Sequence, residues 1–392
     1  MNYYQRALAL QEETITHRRY FHENAEVGLD LPRARAYVQR ELEACGLRPE
    51  VCGYGITASV GKPGKVLLLR ADMDALPMEE ESGESFSSKN AGTFHGCGHD
   101  FHGAMLLTAA KMLKESEETL EGTVRFMFQP GEETLEGADN MLKQGVLEKP
   151  SVDAAMAIHV AAGRMPVGTI LYNGTGIMMH SVDNFQIHIK GKGGHGAYPH
   201  RTVDPIRIGV HIYLALEALI AGETDPERSC VLTIGSFTAG STGNVIPETA
   251  LLQGAVRTDD QKSRELLMNR LEEITVGTAA ALGGTARVEL LARVPPLVCD
   301  PVLTEEMVGY IREMDVPGAV LQPGISASAS EDFSLIAEKV PSTYLYLSAG
   351  YPDERGEAGA HNPMVRFNEE VCPVGAACLA HCAERWLSNN KE

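Results

Sequence analysis

The order of apolar and polar positions divides the chain into three textures. At the start, Ala7, Leu10, Ile15 and Phe21 recur among charged residues over positions 3 to 22, and residues 32 to 45 repeat an amphipathic spacing up to Cys45-Gly46. Both stretches are predicted helices. Short unbroken apolar runs then alternate with helical periods. Val66-Leu67-Leu68-Leu69 reads as a buried strand entering Arg70-Ala71-Asp72-Met73-Asp74-Ala75-Leu76-Pro77, where Pro77 forbids its continuation in a central sheet. Residues 103 to 115 read as a buried helix. Residues 123 to 128 form a strand that ends in Gln129-Pro130-Gly131-Glu132-Glu133, a helix is expected over 136 to 143, and the strand 153 to 158 delivers His159.

The second texture runs from about 180 to 295. Residues 182 to 190 alternate as a strand exposed on one side, followed by the glycine-rich loop 191 to 200. A helix over 205 to 221, strands over 230 to 237 and 249 to 257, a helix over 261 to 282 and a strand over 286 to 293 complete a β-α-β-β-α-β order, the ferredoxin-like pattern. The third texture returns to alternating helix and strand: a helix over 301 to 314, a strand over 343 to 347 and a closing helix from about 368 to 387. The reading is an α/β chain with an open, mostly parallel sheet flanked by helices. Its first domain comprises residues 1–181 plus 295–392, and 182–294 is an insertion that returns through Val294-Pro295-Pro296.

Length agrees with two domains, since 392 residues exceed what one core organises. The 34 Lys plus Arg against 53 Asp plus Glu give a net charge of -19, which argues against nucleic-acid and anionic-membrane partners. The first residues lack the apolar core of a signal peptide and no run of about 18 apolar residues is found, so a cytoplasmic protein without a membrane partner is expected. The eight cysteines show no framework spacing and are read as reduced core residues, Cys97 excepted.

Cys97 stands in His95-Gly96-Cys97-Gly98-His99-Asp100, with His102 close behind. A thiolate, imidazoles and a carboxylate separated by glycines are the makings of a metal site. Three strands presenting Asp, Glu or His at their carboxyl ends strengthen that reading, because open α/β sheets build sites along that edge.

Taken together, the Arg70–Pro77, His95–Asp100 and Gln129–Glu133 blocks, residues 191 to 200, Gly243-Asn244-Val245-Ile246-Pro247, Ser330-Glu331-Asp332-Phe333 and His361-Asn362-Pro363 resemble the metal-dependent amidohydrolases of the aminoacylase and carboxypeptidase-G2 superfamily, in the branch of hippurate hydrolases and indole-acetyl-amino-acid hydrolases. The resemblance spans essentially the whole chain. It implies two divalent metal ions (Mn, Zn, Co or Ni) bridged by Cys97, one completed by His99 and His159 and the other by Glu133 and His361. It further implies hydrolysis of N-acyl amino acids by metal-activated water with Glu132 as general base, and His195 steadying the tetrahedral oxyanion. Asn244 and Arg257 would contribute to substrate binding, Arg257 having a structural ion pair as its alternative. A homodimer through the inserted domain is also implied, that domain acting as lid and dimerisation unit. Asp74 and Asp100 are expected to orient ligands, His102 to pack or hydrogen-bond nearby, and Asp72 and His180 are left without a role. Three rivals remain: a metallo-dipeptidase or carboxypeptidase using the same site, a cysteine hydrolase pairing Cys97 with His99, and a metal-binding scaffold without activity.

Overall fold

The computed structural model describes residues 1–391 and falls into two compact units. The first comprises residues 1–178, 298–326 and 332–391, and is built on an eight-stranded sheet. From edge to edge the strands are Glu50–Cys52, Gly55–Gly61, Thr123–Gln129, Val66–Asp72, Ala154–Ala161, Ser342–Ser348, Ile170–Tyr172 and Leu321–Pro323. The third to sixth of these run parallel. They are buried along almost their whole length, which is why the sequence offers unbroken apolar runs there and not alternation.

Alternation reappears in which neighbours each side chain meets. Leu67, Leu69, Ala71, Val124, Phe126 and Phe128 join one continuous core with the helices His99–Glu115 and Cys372–Asn389. By strand parity Leu68, Arg70, Arg125, Met127 and Gln129 belong to the opposite face. The helix His99–Glu115 is buried from His99 to Ala110, and each of its enclosed leucines contributes about 1.5–3 kcal/mol of transfer free energy. It starts four residues before the predicted boundary, so that His99, Asp100 and His102 form its first turn. The N-terminal amphipathic stretch is two helices, Tyr3–Ala9 and Gln11–Glu23, interrupted at Leu10. His159 lies inside its strand, which runs to Ala161, and not beyond the strand's end.

The second unit comprises residues 179–297 and 327–331. Its four-stranded antiparallel sheet is ordered Cys230–Ala239, Thr249–Thr258, Val182–Lys190, Thr285–Val294. With the helices Pro205–Glu223 and Gln261–Ala281 the element order is β-α-β-β-α-β. Phe185, Ile187 and Ile189 face a core shared with Ile208, Ile212, Leu216, Leu267 and Leu271 of the helices. Helix Pro205–Glu223 is by length and composition apolar enough to cross a membrane, although Arg207 and Glu217 interrupt its apolar run. It combines that buried face with a second apolar face on which Ile206, Val210, Tyr213 and Leu214 are exposed.

Candidate metal centre

The carboxyl ends of the central strands and the start of helix His99–Glu115 bring the chemistry of the first unit to one place. Gly98 makes the turn into the helix at φ 94°, in the left-handed region, and a Cβ there would stand 2.4 Å from Cγ2 of Val160. Only glycine meets both demands. The turn leaves Cys97 half-buried and His99 fully buried.

Hydrogen bonds fix both buried imidazoles in one tautomer. His99 donates through Nδ1 to the carbonyl of Asp74 at 2.9 Å, and His159 donates through Nδ1 to the carbonyl of Val160 at 2.6 Å. Each ring therefore presents an Nε2 lone pair, the arrangement metal-ligating histidines adopt. His159 Nε2 is 3.4 Å from Cys97 Sγ. His99 Nε2 and Glu133 Oε1 are buried, 3.9 Å apart, and without a hydrogen-bond partner. Buried polar atoms are nearly always paired, so these two mark a place for a cation.

Potential ligand atoms gather in two groups that share Cys97: Cys97, His99 and His159, and Cys97, Glu133 and His361, each within 4.8 Å of one another. His361 Nε2 lies 3.5 Å from Glu133 Oε1. His361 itself is held at φ 64°, unusual for a residue with a side chain, and its backbone N–H donates to the carbonyl of Gly96 at 2.9 Å. That bond ties the 361 loop to the cysteine turn across 265 residues, and backbone strain held in this way is typical of functional positions.

A third group, Asp72, His99 and His102, does not hold a metal in the same manner. His102 Nδ1 donates to Asp72, and its Nε2 accepts from the N–H of Val160 at 2.8 Å, so neither ring nitrogen has a lone pair to offer. Asp72 also accepts from Arg70 at 2.6 Å. Arg70 continues to Gln129 and Asp332, both at 3.0 Å, and thereby fastens the ends of two parallel strands to Asp332. Asp72 thus acquires a role, as part of a buried scaffold under His99.

Asp74 anchors the loop that carries both glutamates. Its carboxylate oxygens accept the backbone N–H groups of Glu132 and Glu133, each at 3.0 Å. Gly131, at φ 65°, lets that loop turn where a Cβ would meet Leu29 at 2.8 Å. Glu132 Oε2 ends 3.8 Å from His99 Nε2. Asp100, expected to orient a ligand, instead pairs with Arg18 at 2.8 Å and with His22 at 2.7 Å. Arg18 is sandwiched between the rings of Phe86 and Phe101.

Burial pushes the Cys97 thiol up, with His99 opposing, and pushes the Glu133 carboxyl up, with His99 and His361 opposing. It also drives His159 well down, an effect the neighbouring His102 and His99 reinforce. For His99 burial works downward but is outweighed by Asp72 and Cys97, so its pKa lies well above the usual range. A divalent cation reverses this logic, stabilising thiolate, carboxylate and neutral imidazole together. The mixed S, N and O donor set suits borderline ions such as zinc, manganese, cobalt or nickel.

His195, Asn244 and Arg257 lie in the second unit. Structure brings the first two together: His195 pairs with Val245 in a short antiparallel ladder, and the N–H of Gly196 donates to the carbonyl of Asn244 at 2.9 Å. Arg257 donates to Ser330 Oγ at 2.9 Å and has no carboxylate partner among the described residues.

A family model described as peptidase family M20/M25/M40 matches residues 68–385. The chain is 34% identical to N-acetyl-L-cysteine deacetylase of Bacillus subtilis, over 98% of this chain and 90% of that protein. It is 36% identical to IAA-amino acid hydrolase ILR1-like 2 of Arabidopsis thaliana, over 94% and 84%. Among solved structures, the YXEP protein of Bacillus subtilis, described as a dinuclear metal-binding peptidase, superposes with a TM-score of 0.81 at 30% identity, covering 97% of this chain and 99% of that one.

Proposed function

The chain belongs to peptidase family M20/M25/M40, and from that premise we propose that it cleaves the amide bond of N-acyl amino acids with two divalent metal ions per subunit, releasing a carboxylic acid and a free amino acid. The observation that carries this reading is the double use of Cys97, whose Sγ belongs to both ligand groups. Cys97 would bridge the two ions, with His99 and His159 on one and Glu133 and His361 on the other. The ions supply Lewis acidity, polarising the amide carbonyl and lowering the pKa of water.

Everything else falls to the chain's own groups. Glu132, whose carboxylate lies within 4.8 Å of ligand atoms of His99 and Glu133 but holds no ion in this assignment, takes a proton from the attacking water and hands it to the amine nitrogen as the C–N bond breaks. Asp74 fixes the backbone that aims Glu132 and Glu133. His195, on a glycine-rich loop ordered by the Asn244 segment, donates to the tetrahedral oxyanion, with Asn244 beside it at the substrate. Arg257 receives the substrate carboxylate, a role supported by its having no carboxylate partner among the described residues. The unit around residues 182–294 serves as a ferredoxin-like lid and as the surface of a homodimer. Support for the dimer comes from the exposed Ile206, Val210, Tyr213 and Leu214 beside the edge strand Cys230–Ala239, which exposes Val231 and Phe237.

The substrate class is tested by a panel of hippurate, N-acetyl amino acids and dipeptides offered to the metal-loaded enzyme. Release of free amino acid from the acylated compounds at rates at least tenfold above any dipeptide is expected. Faster turnover of the dipeptides would replace this reading with a metallopeptidase using the same site.

A further inference from the structure

Arg125 lies on the strand Thr123–Gln129, on the face of the sheet opposite the main core, four residues before Gln129. It is 5% exposed, yet no carboxylate pairs with it among the described residues. One amino group donates to the carbonyl of Lys149 at 2.7 Å, the other reaches Thr57 Oγ1 at 3.4 Å, and Nε, also buried, has no partner. A guanidinium has five N–H donors, so most of this one's capacity is unspent. Buried charges are normally paired, because desolvation is costly and an isolated ion does not recover it.

The guanidinium borders a cavity of about 350 Å³ lined also by Cys52, Thr57, Lys143, Gly145 and Lys149. Lys149 and Lys143, the latter also paired with Asp139 one helical turn back at 2.5 Å, stand exposed at its mouth. Glu50 and Glu148 line it too, as exposed to water as the two lysines, so the charges at the mouth balance and the buried, unpaired charge is that of Arg125. None of these residues belongs to the metal centre.

We infer that this cavity is a binding site for a small oxyanion, a phosphate or a carboxylate, gripped by the Arg125 fork and closed by Lys143 and Lys149. A planar guanidinium meets two oxygens of either group with parallel hydrogen bonds. The site is bounded by the strand that precedes the Glu132-Glu133 loop and by the last turn of the helix Gly137–Lys143 that follows it.

The test is isothermal titration of the metal-loaded protein with inorganic phosphate and, separately, with acetate, at constant ionic strength set by chloride. Wild type is compared with the double variant Lys143→Gln, Lys149→Gln, whose changes are confined to exposed side chains, and with Arg125→Gln. Saturable binding of at least one anion that weakens threefold or more in the double variant, with N-acyl hydrolysis unchanged, is the expected result. The anion that shows the difference identifies the ligand class. Binding at the metals alone would persist equally in wild type and double variant, and that outcome overturns the proposal. Should Arg125→Gln not fold, a selenate soak of wild-type crystals replaces it: an anomalous peak beside Arg125 is expected, and peaks restricted to the metal centre contradict the site.

Discussion

Asp74→Asn tests how much the catalytic loop depends on one buried carboxylate. The Asp74 carboxylate is buried and gives one oxygen to each backbone N–H of Glu132 and Glu133, both at 3.0 Å. Asparagine keeps one acceptor and turns an amino group toward the other N–H, leaving two donors face to face. Losing a hydrogen bond to a charged group costs about 1.5–3 kcal/mol. At about 1.36 kcal/mol per decade of rate, misplacement of Glu132 should lower kcat by roughly 10- to 150-fold. The bond that orients His99 runs to the Asp74 main-chain carbonyl, which the substitution leaves in place, so the ion on His99 and His159 should remain, while the ion on Glu133, whose backbone Asp74 also anchors, is the one expected to weaken. Initial rates on an N-acetyl amino acid, with metal content by mass spectrometry on the same preparation, measure both quantities. A kcat within twofold of wild type at full metal content would refute the claim that this carboxylate holds the catalytic loop.

Cys97→Asp should retain part of the metal and of the activity, because a carboxylate can also bridge two ions, whereas Cys97→Ala should lose metal from both positions; an alanine variant holding two ions would remove the bridging role. Gly98→Ala brings a Cβ to 2.4 Å from Val160 at a φ of 94°, and a loss of about 1–3 kcal/mol in denaturant unfolding is expected, an unchanged midpoint contradicting it. Burial raises the Glu80 carboxyl, but hydrogen bonds from His22, Ser82 and the Ser88 N–H prevail and bring it down to about 2 from 4.5. Its stabilising effect is therefore complete above pH 4.5 and disappears as pH falls towards 2, since across that window the unfolded chain binds the proton first. The difference in thermal midpoint between wild type and Glu80→Gln should shrink over that interval, and a difference constant with pH would show that the carboxylate's charge has no part in it.

The residue types of the metal centre were legible because ligands sit in compact local blocks, and the parallel strands because burial on both faces leaves unbroken apolar runs. Local pattern failed where a long-range contact decides. The first turn of helix His99–Glu115 is polar and follows a glycine, so periodicity alone begins the helix at 103, while hydrogen bonds of His99 to Asp74, of Asp100 to His22 and of His102 to Val160 hold the turn in place back to His99. Asp72 and Asp74 are two residues apart and chemically identical, yet one braces His102 and Arg70 and the other holds the backbone of residues 132 and 133. Nothing in their spacing distinguishes them. His22 shows no partner in sequence; its partners Glu80 and Asp100 lie 58 and 78 residues away. For Pro205–Glu223 the helical period is clear, but an apolar residue on the outer face of a helix reads the same as one on the inner face until the packing is known.

Turnover of Glu132→Ala, measured alongside its metal content, decides whether a separate carboxylate base serves a two-metal site. Two ions per chain are expected, as in wild type, with hydrolysis of an N-acetyl amino acid reduced by about 10²–10⁴-fold, the usual contribution of a positioned general acid–base. A fully metal-loaded Glu132→Ala enzyme that turns over at the wild-type rate would contradict that role.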